Sequence, residues 1–235
     1  MDIVKDRVDL PGDGGKRDVK SFVLRKGKLR PFQEEAIQLY SDEFVIPFSS
    51  HMLDFSTLFS NDHPTVIEIG FGMGASTKRI VQEQPEKNFI GIEVFLSGFT
   101  KLLSAAGRER LTNLRLIRFD AVQVLNDMIP DGSVSGFHIF FPDPWPKKRH
   151  HKRRLIQKEF AELLSRKLIS GGYIYCVTDW IEYAHQMVEV FDSLPTLCNP
   201  SGGFCQPVSW RPSTGFERKG REKQHPISEI WVEKL

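Results

Sequence analysis

Cysteine is scarce in this chain of 235 residues. The three present, Cys176, Cys198 and Cys205, are odd in number and lack C-x-x-C spacing. That excludes a disulfide framework and a thiolate zinc site, and it points to a reducing cytoplasmic setting. No run of 18 apolar residues occurs, which excludes an ordinary membrane-spanning helix, and the opening MDIVKDRVDL has no apolar signal core. No internal repeat and no low-complexity segment is present. Net charge is also small, at +2.

That small net charge hides an uneven distribution. Residues 16–30 carry seven Lys or Arg and a single acid, Asp18, while residues 147–154 carry six Lys or Arg and no acid. What remains has 19 basic against 29 acidic residues, a balance of −10. An acidic body with two concentrated basic segments is the pattern of a protein that holds a polyanion at one place.

A 40% hydrophobic share and four Trp mark a globular protein. A chain this long buries about 70–75% of its unfolded surface. Residues 1–20, with Pro11-Gly12-Asp13-Gly14-Gly15, read as a mobile tail. Residues 21–63 read as a basic arm, SFVLRKGKL, followed by a short helix over QEEAIQLYSDEF and a connector from His51 to His63.

From Pro64 to the end a regular pattern predicts one domain. TVIEIG, NFIGIE, NLRLIRFD, GFHIFFPD and YIYCVTD read as strands, and helical stretches separate them. The longest, RRLIQKEFAELLSRKL, is predicted to be one amphipathic helix stopped by Ser170-Gly171-Gly172. ISEIWVEKL reads as a last strand. Alternation of this kind implies a mostly parallel sheet with helices on both faces, a doubly wound α/β fold.

Each of the five strands finishes at or just before a carboxylate: Glu68, Glu93, Asp120, Asp143 and Asp179. In open α/β sheets ligands sit in the crevice outside those ends. Asp120 also stands where it would cap the next helix. Between the first strand and its helix lies Gly70-Phe71-Gly72-Met73-Gly74-Ala75. As G-x-G-x-x-A it fits a dinucleotide fingerprint, and hence a nicotinamide-dependent oxidoreductase. It fits S-adenosylmethionine as well. Converging carboxylates repel one another and suit a ligand with positive charge, which the sulfonium and ammonium of that methyl donor supply and a pyrophosphate does not.

The stretch FFPDPWPKKRHHKRR, residues 140–154, puts Asp143 on an elbow stiffened by Pro142, Pro144 and Pro146, directly before the basic run. Trp145 either stacks a base or anchors the elbow. The run is expected at the start of the long helix, where the macrodipole already disfavours cations by about 0.3–1 kcal/mol each; docked phosphates would relieve that conflict. His150 and His151 have no acid or Cys at ligand spacing and read as surface residues, not metal ligands.

Together EIGFGMG, GIEV, FFPDPWPKKRHHKRR, TDW and TGFERKG resemble the bacterial tRNA (guanine-N(7)-)-methyltransferase family, over a span from about Ser21 to the C-terminus. The resemblance implies a class I methyltransferase fold with a seven-stranded sheet, S-adenosyl-L-methionine as cofactor, and tRNA as partner, methylated on guanine 46 of the variable loop. It implies cofactor contacts from Glu68, Gly70, Gly72, Gly74, Glu93, Asp120 and Asp143, with Asp143 catalytic. Lys147, Asp179, Thr214, Gly215, Phe216 and Glu217 would meet the substrate. Arg149, His150, His151, Lys152, Arg153 and Arg154 would meet the RNA. A cytoplasmic monomer or weak homodimer is expected. The family's usual His and Pro-Gly after GIEV are here Phe95 and Ser97-Gly98, and its Gly-His turn after Gly220 is Gln224-His225-Pro226. A non-catalytic RNA-binding relative is the remaining alternative.

Overall fold

A computed structural model describes residues 21–22, 29–222 and 224–235, without the side chains of Phe216, Lys219 and Arg221. The tail expected over residues 1–20 and residues 23–28 of the basic arm lie outside the described residues.

The described chain begins with α1 (Pro31–Phe44) and a short α2 (Phe55–Phe59) inside the expected connector. It then alternates β1 (Thr65–Ile69), α3 (Ala75–Glu83), β2 (Asn88–Ile92), α4 (Leu96–Glu109), β3 (Leu114–Ile117), α5 (Ala121–Asp127) and β4 (Val134–Phe140). After a 3-10 turn over Lys148–Arg153 come α6 (Lys158–Lys167), β5 (Leu168–Thr178) and α7 (Ile181–Asp192). β6 (Leu197–Cys198), α8 (Gly215–Glu222) and β7 (Ser228–Lys234) complete the order. β6, α8 and α2 have no counterpart among the sequence expectations; each is short, and the periodic signal needs length.

The seven strands form one sheet in the order β3-β2-β1-β4-β5-β7-β6. β1 to β5 pair in parallel, and β7 runs antiparallel to both β5 and β6. This is the mostly parallel, doubly wound sheet expected. The strands are apolar along their whole length because both faces are covered. Ile67, Ile69, Ile90 and Ile92 pack on one face with residues of α5, α6 and α7. Val66, Phe89, Leu114 and Leu116 pack on the other with residues of α1, α3 and α4. No helix among the described residues is long and apolar enough to cross a membrane.

Two sequence expectations are corrected. The long helix does not begin at Arg153: α6 starts at Lys158, with Gln157 as its N-cap. The backbone is extended at Arg154 and again at Gln157, and Ile156, fully buried between them, donates its N–H across to the Tyr183 hydroxyl at 2.9 Å. The basic run is therefore its own turn, and the dipole of α6 begins beyond it. Nor do Ser170-Gly171-Gly172 cap α6, which ends at Lys167 and passes straight into β5. They form an irregularity inside β5, between the pairings Val134–Leu168 and Gly136–Tyr173, with Gly171 at φ +75°.

The chain reverses at the switch between β1, which leads to the edge through β2 and β3, and β4, which leads the other way. A ligand crevice is expected at that point. There α4 comes so close to the β1–α3 loop that a Cβ on Gly98 would lie 1.8 Å from the Gly72 carbonyl oxygen. Gly98→Ala is expected to lower stability by about 1–3 kcal/mol through overpacking and to loosen the glycine loop. Chemical denaturation checks the first effect and calorimetric titration with S-adenosylmethionine the second.

Candidate active site

The β1–α3 loop turns through three glycines at positive φ: Gly70 at +77°, Gly72 at +57° and Gly74 at +71°. A side chain at any of these positions would strain the backbone. Gly70 faces open space, with nothing within 4 Å of a hypothetical Cβ, whereas a Cβ on Gly74 would lie 2.7 Å from Leu102. Gly74 thus also serves the packing of α3 against α4.

Gly70 and Gly72 border a cavity of about 310 Å³. Its polar rim holds Glu93, Asp120 and Asp143; its walls include Ile92, Phe95, Phe119, Phe140, Phe141 and Leu155, and Ser21 and Phe22 close one side. Phe119 is stiffened by Phe48, stacked at 3.7 Å. Sequence reasoning missed these apolar walls because a lone Phe carries no motif.

Glu93 follows β2 and accepts three backbone N–H groups: Gly72 at 2.8 Å on Oε2, and Val94 at 2.7 Å and Phe95 at 2.8 Å on Oε1. A carboxylate offers about four lone-pair positions, so acceptor capacity remains. Burial raises its pKa; the three N–H bonds pull it back, and the charge of Asp143 raises it again.

Glu68 lies beneath the loop, 4% exposed, on the face of β1 that Val66 shares. Burial pushes its carboxyl up to about 8, with the Thr77 hydroxyl opposing and the Glu93 charge reinforcing. Its register neighbour His138 brings no compensating cation, because complete burial pushes that imidazole down to about 3. Asp143 is exposed at the cavity rim, yet the protein packed beside it still raises its pKa, with the charge of Arg153 opposing the rise. Three acids thus share one field. Asp120 caps α5, accepting from Val122 at 2.9 Å and Gln123 at 3.4 Å, while bordering the cavity.

Past β4 the elbow is strained, with Phe141 at φ +53° and Trp145 at φ +41°. Such backbone persists where the surroundings over-determine it. Trp145 is an anchor rather than an open platform: its Nε1 donates to the Ser21 carbonyl at 3.1 Å, and the Arg153 guanidinium lies 3.9 Å from its ring centroid.

Beyond the elbow Lys147, Lys148, Arg149 and Lys152 are exposed, with His150, His151 and Arg153 partly so. His150 is held below its ordinary pKa, first by partial enclosure and then by the cations around it. Arg154 is the exception. At 3% exposure its side chain turns into the protein, unlike the cations before it.

The C-terminal candidates divide. Asp179 stands beside the last segment, 3.6 Å from His225 Nδ1. Thr214 and Gly215 line a separate recess with Ala75 and Arg218. The Phe216 side chain lies outside the described residues. Glu217 is 2% exposed and accepts from Arg211 at 2.7 Å. Arg211 also bonds Glu229 of β7 and the Tyr175 hydroxyl of β5. Glu217 therefore ties its segment to the sheet through Arg211. Arg211 lies outside every motif, so no sequence signal pointed to it.

Open space facing Gly70, acids in one field and apolar walls fit a ligand that joins positive charge, ribose and an aromatic base.

Residues 62–230 match a family model described as a putative methyltransferase. The chain is 45% identical to a tRNA (guanine-N(7)-)-methyltransferase of Methylobacillus flagellatus, over 92% of this chain and 91% of that one. It is 41% identical to the enzyme of the same description from Bordetella pertussis, over 94% of this chain and 87% of that one. Among solved structures, 16S rRNA methyltransferase KamB superposes with a TM-score of 0.56 at 12% identity, over 78% of this chain and 95% of that one, a likeness of fold alone.

A carboxyl raised above its unfolded value of 4.5 adds stability that is complete below that pH and is lost as pH climbs to about 8. The unliganded protein is therefore expected to lose stability across that window. Glu68→Gln should flatten the slope by up to about 1.4 kcal/mol per pH unit. Denaturant titrations at several pH values check this; an unchanged slope contradicts it.

Proposed function

The chain belongs to the tRNA (guanine-N(7)-)-methyltransferase family, and on that premise we propose how its residues move a methyl group from S-adenosylmethionine to nitrogen-7 of a tRNA guanine, at position 46 of the variable loop. The observation that carries the division of roles is the shared field of Glu68, Glu93 and Asp143 around an open glycine turn, next to an exposed row of cations.

Bound S-adenosylmethionine supplies an electrophilic methyl on a positively charged sulfur. Gly70 and Gly72 let the backbone approach it closely. Glu93 uses its remaining acceptor capacity for the ribose hydroxyls, and Asp120 borders the adenine end. Glu68 supports the loop from below; with its pKa pushed up to about 8 in the unliganded protein, it becomes charged and favours the amino-acid end as the cationic ligand lowers that pKa. A nicotinamide dinucleotide would instead set its pyrophosphate against Glu93 and Asp143, where like charges repel.

Nitrogen-7 of guanine has a free lone pair and no proton, so no base is needed before attack, and the product ring is cationic. Asp143 accepts hydrogen bonds from the guanine's N–H groups and favours the positive charge as it develops. The stiff elbow orients the base, and orientation alone supplies roughly 7–11 kcal/mol of a barrier reduction. Exposed RNA loops offer a base that can be turned outward. Lys147, Lys148, Arg149 and Lys152 hold the phosphates on either side of it. Asp179, just after β5, and Thr214 and Gly215, from the C-terminal segment, meet the substrate.

Asp143→Ala is expected to keep tRNA affinity while slowing single-turnover methyl transfer about 100-fold or more; rapid-quench assays check it, and an unchanged rate contradicts the role. In the wild type, the acid limb of the rate profile should lie above the ordinary carboxylate range, because the protein packed beside Asp143 raises its pKa. Arg149→Ala with Lys152→Ala is expected to weaken tRNA binding and to flatten the plot of log affinity against log salt by roughly 0.7–0.9 for each phosphate no longer neutralised. Filter binding at several salt concentrations measures that slope.

A further inference from the structure

The basic run ends on a residue that does different work from the rest. Arg154 Nε donates to the Pro144 carbonyl oxygen at 2.8 Å, immediately after Asp143 in sequence. One terminal nitrogen donates to Gln186 Oε1 at 2.5 Å. The other lies 3.0 Å from His151 Nε2 and 3.3 Å from Glu182 Oε1. The guanidinium sits 4.9 Å from the centroid of the Tyr183 ring. Gln186, Glu182 and Tyr183 all belong to α7.

Prolines at 142, 144 and 146 remove three backbone donors from the elbow, so ordinary backbone pairing cannot fix it. The last main-chain bond before it runs from Phe141 N–H to the Val177 carbonyl at 2.7 Å. A carbonyl between two prolines can still accept, and a buried guanidinium must find acceptors to offset its desolvation. Each supplies what the other lacks.

We propose that Arg154 is a positioning residue: it ties the elbow that carries Asp143 to α7, and it acts on the reaction through Asp143 rather than by touching RNA. The proposal rests on the role given to Asp143 above. Lysine cannot replace it, because one ammonium cannot reach the elbow carbonyl, α7 and His151 as a planar fork does.

The test compares Arg154→Lys, Asp143→Ala and the double variant in the full chain, with one tRNA and S-adenosylmethionine. Arg154→Lys is expected to slow single-turnover transfer about 10- to 100-fold, the scale of a small misplacement. Its tRNA affinity and salt slope should match wild type. The double variant should be no slower than Asp143→Ala, because residues acting as one unit do not add. A flattened salt slope in Arg154→Lys makes the residue an RNA contact and overturns the proposal. So does full additivity with Asp143→Ala, or a wild-type rate in Arg154→Lys while Asp143→Ala is slow. A wild-type rate in Asp143→Ala removes the role of Asp143 itself, and the proposal falls with it. Gln186→Ala removes one bond of Arg154 together with the Gln186 bond to the Ile156 carbonyl oxygen; if Arg154→Lys fails to fold, this variant is expected to show the same split, a slower rate with unchanged salt slope, and an unchanged rate overturns the proposal.

Discussion

Three carboxyl groups at the carboxyl ends of neighbouring strands, Glu68 and Glu93 buried and Asp143 exposed at the crevice rim, all raised in pKa above the ordinary carboxylate value, are the constraint on which the rest depends. Glu68 and Glu93 are 4% and 8% exposed. Glu93 accepts the N–H of Gly72, so the acid and the shape of the glycine turn are one unit. Gly98, packed against the Gly72 carbonyl, closes that unit from α4. A positively charged ligand relieves what the empty fold bears as strain, and this is why the methyl donor suits the crevice better than a pyrophosphate.

Acid and base stand side by side here without cancelling. The exposed cations point to solvent, where their attraction for phosphate is long-ranged and salt-sensitive. Glu93 and Asp120 are buried at the crevice, where salt screens them little, and Asp143 is exposed at its rim. Between them stands the elbow, and Arg153, against the Trp145 ring, is the cation whose field reaches Asp143. One surface gathers RNA and the other orders a small ligand, and the rigid elbow sets the distance between them.

The five parallel strands were legible in the sequence because each is an apolar run ending near a carboxylate, and burial on both faces writes that pattern directly. The convergence of Glu93, Asp120 and Asp143 followed from the rule for carboxyl ends of strands. Hidden were features decided by contacts far along the chain. Ile156 fits the helical spacing of α6 yet lies outside it, buried in an extended segment that bonds across to Tyr183 in α7. Arg154 reads like its neighbours until its side chain is seen to turn inward. Glu217, in a segment that looks ligand-facing, is claimed by Arg211. Spacing records the face of an element; it does not record which distant partner a charged side chain finds.

The most direct measurement transfers a labelled methyl group from S-adenosylmethionine to one purified tRNA and maps the product by cleavage at N7-methylguanine. A single labelled site in the variable loop is expected, with no label when that guanine is replaced by adenine. No transfer, or label on another atom or another loop, would contradict the roles assigned to these residues.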